Sequence, residues 1–529
     1  MQVTRLTRVL LCLFVLCMTL GMFAACKDNK TPENTTPQAP NDPNAGNQDD
    51  LPAEALEFLP DAQDFGNYEF RILMQLDYAD EIYEYYESAA GMSGDAISQA
   101  LYERDEYLSE TFNFVFYYDT SSTSSNRAHN MVNRAYEAGD DNWDIAYLLS
   151  GLGECAPKGT VLDLFQLDNL NLEASYWDQR AREETVINGM LFTLPGDYTI
   201  YDELNSVCVF YNEAIYQEWN YHNIYGSPYQ MVSNNQWTYD NMLTMFKDTA
   251  DKKDTPLTKE DRWGMLVTYY GTHSFFLGSG QKIMANVDGV LTPLINDSTK
   301  FNQAYETISY ILDTLFVNNP EVLWSMNEKV LTDGAHPTEM FREDKALFYF
   351  GAIIDGLSLR DMESAFGILP IPTFFEGQTE YYCEIIYNAP MYFLTTCYQN
   401  GHIDTATAIA ERLCYYSRYA PANSTMSLYD AYYEKMTVAK LCRSAEDYKM
   451  LELIYRSKTY NIDNFSRIAN LSQAIVNGST ELYYGYQSAY SMRPSFSTLY
   501  SNMVTLKKAV SQTLDAFLAE VETNKPVME

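Results

Sequence analysis

The chain has 529 residues, with 35 Lys+Arg against 72 Asp+Glu and a formal net charge of −37. A chain this acidic, with no basic cluster to offset it, repels polyanions and excludes nucleic acid as a partner. Its length favours more than one core.

The first eight residues carry Arg5 and Arg8 and no acid, and Val9 to Phe23 is almost wholly apolar. That run has the length of a signal-peptide core and is short for a membrane span. It closes on Phe23-Ala24-Ala25-Cys26. Residues 1–25 therefore read as a signal peptide. Two small residues before a cysteine resemble the lipobox of bacterial lipoproteins. The resemblance implies that Cys26 becomes the lipidated, acylated (palmitate) N-terminus of a protein anchored to the outer face of the cell membrane. From Cys26 to residue 64 the sequence predicts a disordered tether. Lys27 to Ala53 is Asn, Asp, Thr, Gln and Pro with almost no bulky apolar side chain, so burial cannot offset the entropy of ordering it. Beyond Cys26 no apolar run is long enough to cross a bilayer.

In the body, Tyr68–Met74 alternates as a strand, and a helix is predicted from Asp95 to Phe112 with Ile97, Leu101, Leu108 and Phe112 on one face. Phe114–Tyr117 reads as a strand, Asn126–Ala138 as a helix and Trp143–Leu149 as a third strand. This alternation is the pattern of a parallel sheet covered by helices. Ligands collect at the carboxyl ends of such strands, which makes Ser150 and Gly151 the first cleft candidates. Glu184–Leu194 is expected to be a hairpin turning at Asn188-Gly189. Ser206–Asn212 and Ala346–Phe350 read as apolar strands, and a helix begins at the N-cap Thr238. Gly367–Pro372 is a strand with two prolines, which confines it to an edge or a crossing. Helical stripes follow at Thr405–Tyr416, from Ser444 and Asp447 to Tyr455, and from Leu499 to Val521.

Strung together, these segments resemble the extracellular solute-binding proteins of ABC importers, the carbohydrate-binding group in particular. The resemblance rests on WDIAYL (143–148), LDLFQLDNL (162–170), NGMLFTLPGD (188–197), VFYNEAIY (209–216), WTYDNML (237–243), EDKALFYFGAI (343–353) and FGILPIPTFFEGQ (366–378) in that order. It implies an α/β, two-lobe periplasmic-binding-protein-like (type II) fold with hinge crossings and a ligand cleft between the lobes. The lobes would comprise residues 65–208 with 373–425, and 209–372 with 426–529. It further implies a monomer that captures a small solute, a sugar or oligosaccharide, by lobe closure and hands it to ABC importer permease subunits. Strand ends and crossings then give the ligand-binding candidates Ser150, Gly151, Tyr201, Asp202, Ser206 and Asp355, with Trp237, Tyr269, Tyr270 and Tyr387 as aromatic candidates.

The 44 Tyr suit a surface for polar yet partly apolar ligands, although most of them are expected to be half-buried structure. No catalytic residue is expected. The five His (His129, His222, His273, His336, His402) are isolated, and no HExxH, GxSxG, Walker or Rossmann motif is present. Neither a metal nor a cofactor is expected. Cys155, Cys208, Cys383, Cys397, Cys414 and Cys442 read mostly as small buried hydrophobes, with a disulfide left open by export. The alternative reading is a surface glycan-binding lipoprotein not coupled to an importer.

Overall fold

The computed structural model describes residues 53–75, 96–123, 127–149, 151–252, 257–267, 271–317, 322–324, 336–375, 377–385, 390–421, 424, 426–462 and 496–528. The leader, Cys26 and all of the tether before residue 53 lie outside the described residues. No helix among the described residues is long and apolar enough to cross a membrane.

The strands are β1 (Tyr68–Met74), β2 (Phe114–Asp119), β3 (Ile145–Tyr147), β4 (Val207–Asn212), β5 (Trp263–Val267), β6 (Met284–Val287), β7 (Val290–Pro293), β8 (Val322–Trp324), β9 (Ala346–Ala352), β10 (Phe366–Leu369), β11 (Cys383–Glu384), β12 (Met391–Phe393) and β13 (Lys458–Thr459). They form two main sheets, in the orders β12-β3-β1-β2 and β10-β4-β9-β5-β8. In the first sheet β1 runs parallel to β2 and to β3, because a helix returns the chain each time: Ala96–Phe112 and Ala128–Ala138. Ile97, Leu101, Leu108 and Phe112 are buried, as their spacing predicts. The second helix ends where Gly139, at φ 73°, turns its N–H back onto Ala135 and Tyr136 carbonyls.

The second sheet is mixed: β9 is parallel to β5 and antiparallel to β4. Every residue of β4 and β9 is buried, which is what apolar runs such as VCVFY and ALFYFGA require. β10 lies at the sheet's edge beside β4, with Pro370 and Pro372 directly after it, where no ladder N–H is needed.

Three expectations are corrected. The tether does not extend to residue 64: Ala53–Glu57 is a helix, with Ala55 buried and its carbonyl accepting from the Tyr415 hydroxyl at 2.9 Å. The hairpin over 184–194 is reduced to an isolated bridge, Ile187 to Met190, about the Asn188-Gly189 turn, whose φ values are 49° and 79°. Its first two residues, Glu184 and Thr185, belong instead to the helix Gln179–Thr185, which the Asp178 carboxylate caps by accepting from Ala181 N. The third strand is shorter than Trp143–Leu149. Its Asp144 carboxylate accepts from Arg71 N at 2.8 Å and pairs with the guanidinium at 2.6 Å.

The last helix, Phe496–Asn524, touches parts of both sheets' surroundings. Near its start Tyr500 packs edge-on to Phe301 and Tyr305, and Lys507 donates to the Asn296 carbonyl, all beside the helix Ser298–Leu312. At its end Asn524 Nδ2 donates to Pro157 O at 2.7 Å, next to the first sheet's Val161–Leu394 bridge. The contact needs glycine: at Gly159, with φ +68°, a Cβ would stand 2.0 Å from Asn524 O. Gly159→Ala is expected to lower stability by about 1–3 kcal/mol and to open the end of this helix to protease. Urea unfolding and limited proteolysis check both effects.

Candidate ligand-binding cleft and its hinge

The chain passes between the two sheets within 195–206, between β10 and β12, and between the helices Ile403–Arg418 and Ala445–Arg456. Leu194 is bridged to Met391 of β12, and thirteen residues later β4 begins in the other sheet. β10 leaves the second sheet and β12 arrives in the first. The helix Ile403–Arg418 holds to the first lobe through Glu411, which pairs with Asn171, Tyr176 and Trp177. The later helix Ala445–Arg456 presents Asp447 to Tyr229 of the second lobe.

These crossings are themselves paired. Ser206 stands opposite Ile385 in an antiparallel bridge, and β11 runs parallel to β13, with Cys383 N bonded to Ser457 O at 2.7 Å and Ile385 N to Thr459 O at 3.2 Å. The connections also set the direction of both sheets. The carboxyl end of β3 meets the second crossing, where Tyr147 pairs with Met391 and Leu148 N donates to Pro390 O. The carboxyl end of β9 meets the first, where Ala352 pairs with Val207 and Ile353 N donates to Ser206 O. Both parallel sets of strands therefore point their carboxyl ends at the hinge, where loops rather than ladder bonds face outward.

A buried charge cluster sits on that hinge. Lys458 Nζ lies 2.5 Å from Asp178, 2.8 Å from Asp202 and 3.1 Å from Glu203. Tyr460 donates from its hydroxyl to Asp178 and Asp202, and its backbone N–H to Glu184 Oε2 at 2.7 Å. Glu184 is held in turn by Arg180 and Lys282, each at 2.9 Å. Burial works against every charge here, but the surrounding carboxylates hold the Lys458 ammonium well above its ordinary pKa. Burial raises Asp202 as well, and the Lys458 charge and hydrogen bonds outweigh it, so the group ends below the usual carboxylate range. Glu203 goes the other way: burial and the adjacent Asp202 charge push it well up. Asp197, buried beside Arg418, is pushed up to about 7.

A second polar cluster ties the second lobe to the hinge. His273 Nδ1 is 2.8 Å from Glu384 Oε1, Ser274 Oγ donates to Glu384 Oε2 at 2.5 Å, and Asn461 Nδ2 lies 2.7 Å from His273 Nε2. The lobes also touch directly: Gly189 N donates to Gly289 O at 3.0 Å and Asn286 Nδ2 to Glu183 O at 2.8 Å.

The candidates read from sequence fall in different places. Gly151 opens the short helix Gly151–Cys155 just past β3 and packs so closely that a Cβ would meet Tyr392 Cζ at 2.7 Å. Tyr201 begins the short helix Tyr201–Leu204 of the first crossing. Asp202 and Ser206 are buried in the hinge, where Ser206 Oγ donates to Asp202 O at 2.9 Å. Trp237 is fully buried in the second lobe, with Nε1 bonded to Pro370 O at 2.7 Å and its ring against Phe348. Asp355 accepts from Ala352 N at 2.8 Å and caps the helix that follows β9. Ser150, Tyr269, Tyr270, Tyr387 and Cys26 lie outside the described residues. The structure thus brings together Asp202 and Ser206, and adds Asp178, Glu203, Lys458, Tyr460, His273, Glu384 and Asn461. No local motif announces these; only Asp178, a capping residue before a helix, leaves a readable trace.

Lys458→Met removes the only cation among three carboxylates and is expected to destabilise the fold by about 3–5 kcal/mol, measured by urea unfolding. Asp197 carries a pKa raised in the fold, so its contribution is full below the unfolded value of 3.8 and is lost as pH rises through about 7. Asp197→Asn is expected to flatten the fall in Tm across that window, as read from paired thermal unfolding curves.

No protein-family profile matches the chain, and no curated protein matches it by sequence. Solved structures do match by fold. A sugar transporter from Rhizobium etli in an open conformation aligns with a TM-score of 0.52 at 13% identity, covering 83% of this chain and 99% of that one. A T. maritima protein with maltose bound aligns at 0.51 and 12%, covering 84% and 100%. An ABC substrate-binding protein from Listeria monocytogenes in complex with cycloalternan aligns at 0.50 and 12%, covering 86% and 100%. The chain has the two-lobe periplasmic-binding-protein-like fold.

Proposed function

We propose that this protein is an extracytoplasmic solute-binding protein that captures a sugar or oligosaccharide by lobe closure and passes it to an ABC importer. One observation carries the reading: the carboxyl ends of the parallel strands in both sheets point at a shared, three-crossing hinge. A ligand seated there touches both lobes, so its binding energy favours the closed arrangement. The fold likeness supports the ligand class, since proteins of this shape include ones described with maltose and cycloalternan bound. The lipobox-like Cys26 and the tether place the protein, on this reading, at the outer face of the cell membrane, within reach of permease subunits.

The test is a thermal-shift screen against mono- and oligosaccharides, with peptides and nucleosides as controls, followed by small-angle scattering on any hit. A ligand at about 100 times its Kd is expected to add about 2.7 kcal/mol, raising Tm by roughly 5 °C. The radius of gyration is expected to fall with the same ligand. No shift with any saccharide, or sugar product released on incubation, would sink the proposal.

A further inference from the structure

We propose that Tyr429 and Tyr433, with the Asp197–Arg418 pair, form a binding surface for an uncharged oligosaccharide at the third passage between the lobes. This rests on the solute-binding reading above and gives it residues and a ligand class. Ser427 opens the passage with a capping box, its hydroxyl accepting from Asp430 N at 3.0 Å. The chain then widens into a π-helix over Ala431–Val438, a rare turn that is frequent at functional sites. Tyr432 is buried there, its hydroxyl paired with that of Tyr455. Tyr429 and Tyr433, four residues apart, leave the same side and are only half-buried. Their rings stack 11° from parallel, with centroids 5.7 Å apart.

The stack continues in both directions. Arg418 ends the first lobe's helix Ile403–Arg418 and sets its guanidinium 3.7 Å from the centre of the Tyr429 ring. Tyr433 lies 6.1 Å from Tyr448 and from Tyr455, both on the helix that Asp447 fastens to the second lobe. One row of guanidinium and rings therefore runs from the first lobe across the hinge to the second. A ligand lying along it touches both lobes, as closure requires. The row begins near the carboxyl end of β3, where Tyr147 stacks on Tyr198, the neighbour of Asp197, at 5.4 Å and 14°.

Asp197 supplies the polar end of the row. Its Oδ2 stands 3.6 Å from Arg418 Nη1, within ion-pair range but beyond a hydrogen bond. That oxygen is buried and has no hydrogen-bond partner among the described residues, an unusual state for a carboxylate. Adjacent hydroxyls of a sugar donate to such a carboxylate and accept from such a guanidinium, while the C–H face of the ring packs on tyrosine. Charge selects against acidic sugars. Arg418 is already balanced by Asp197, Glu452 accepts from the Tyr448 hydroxyl at 3.3 Å, and the whole chain carries −37.

The full chain is titrated calorimetrically with maltotetraose, cellotetraose, mannotetraose, xylotetraose and trigalacturonate. At least one neutral tetrasaccharide is expected to bind, and more tightly than trigalacturonate. Tyr433→Ala is expected to weaken that ligand roughly 10- to 30-fold, and Tyr433→Phe, which keeps the ring, by less than about threefold. Tyr310→Ala, at an exposed ring of the second lobe, is expected to leave the affinity unchanged. In the wild type the bound saccharide is expected to shield Tyr429 and Tyr433 from nitration by tetranitromethane, read by peptide mass mapping. That measurement decides the matter if Tyr433→Ala does not fold. Unchanged affinity in Tyr433→Ala, or equal nitration with and without the ligand, overturns this surface and leaves the solute-binding reading standing. Tighter binding of trigalacturonate overturns the ligand class. If the wild type binds none of the five, the solute-binding reading fails for these sugars and this proposal falls with it.

Discussion

An ammonium group surrounded by carboxylates from different parts of the chain holds the middle of this molecule. Asp178 belongs to the first lobe, Asp202 and Glu203 to the first crossing, and Lys458 to the strand that returns beside the second crossing. None of these groups is free to leave, because any one removed would strand charge in a place water does not reach. The cluster therefore fixes where the hinge strands lie before any ligand arrives. The near-isolated β11–β13 pair would be too short to persist alone, and this ionic knot supplies what its few backbone bonds do not.

Around that knot the tyrosines act mostly as load-sharing polar core. Tyr198 takes a bond from Met391 N at 2.6 Å and gives one to Leu194 O, so one side chain ties the first crossing to β12. Tyr176 donates to Glu411, and Tyr460 reaches two aspartates of the hinge. Each ring buries apolar area while its hydroxyl satisfies a group that would otherwise be orphaned. An aromatic-rich composition is thus explained to a large extent without any ligand. Trp237 illustrates the point: its indole N–H closes on Pro370 O inside the second lobe.

The last helix adds a constraint on motion that the hinge alone would not impose. It is fastened near Asn296 and Phe301 at one end and near Pro157 at the other. Rotation of one lobe against the other must bend it, slide it or release one end. Together with the Gly189–Gly289 contact, it makes the lobes a coupled pair with a limited set of arrangements rather than two bodies on a loose string.

Periodicity in the sequence was enough to determine the helices and buried strands, because a stripe every three or four residues or an unbroken apolar run has few other ways to be buried. It placed Ile97 to Phe112, Ala346 to Phe350, the proline-bearing edge strand and the last helix. The order of these elements determined the two-lobe fold. Tertiary structure alone decided the hinge. Lys458 stands 280 residues from Asp178, and Ile385 meets Ser206 of the first crossing only because two chain passages pair there. Local pattern carries no information about such contacts, since their energy depends on burial and on partners that the chain supplies from elsewhere. For the same reason Asp202 and Ser206, chosen for their position at a crossing, could be located by sequence but not assigned their roles: what they bond to is set by the strands that fold over them.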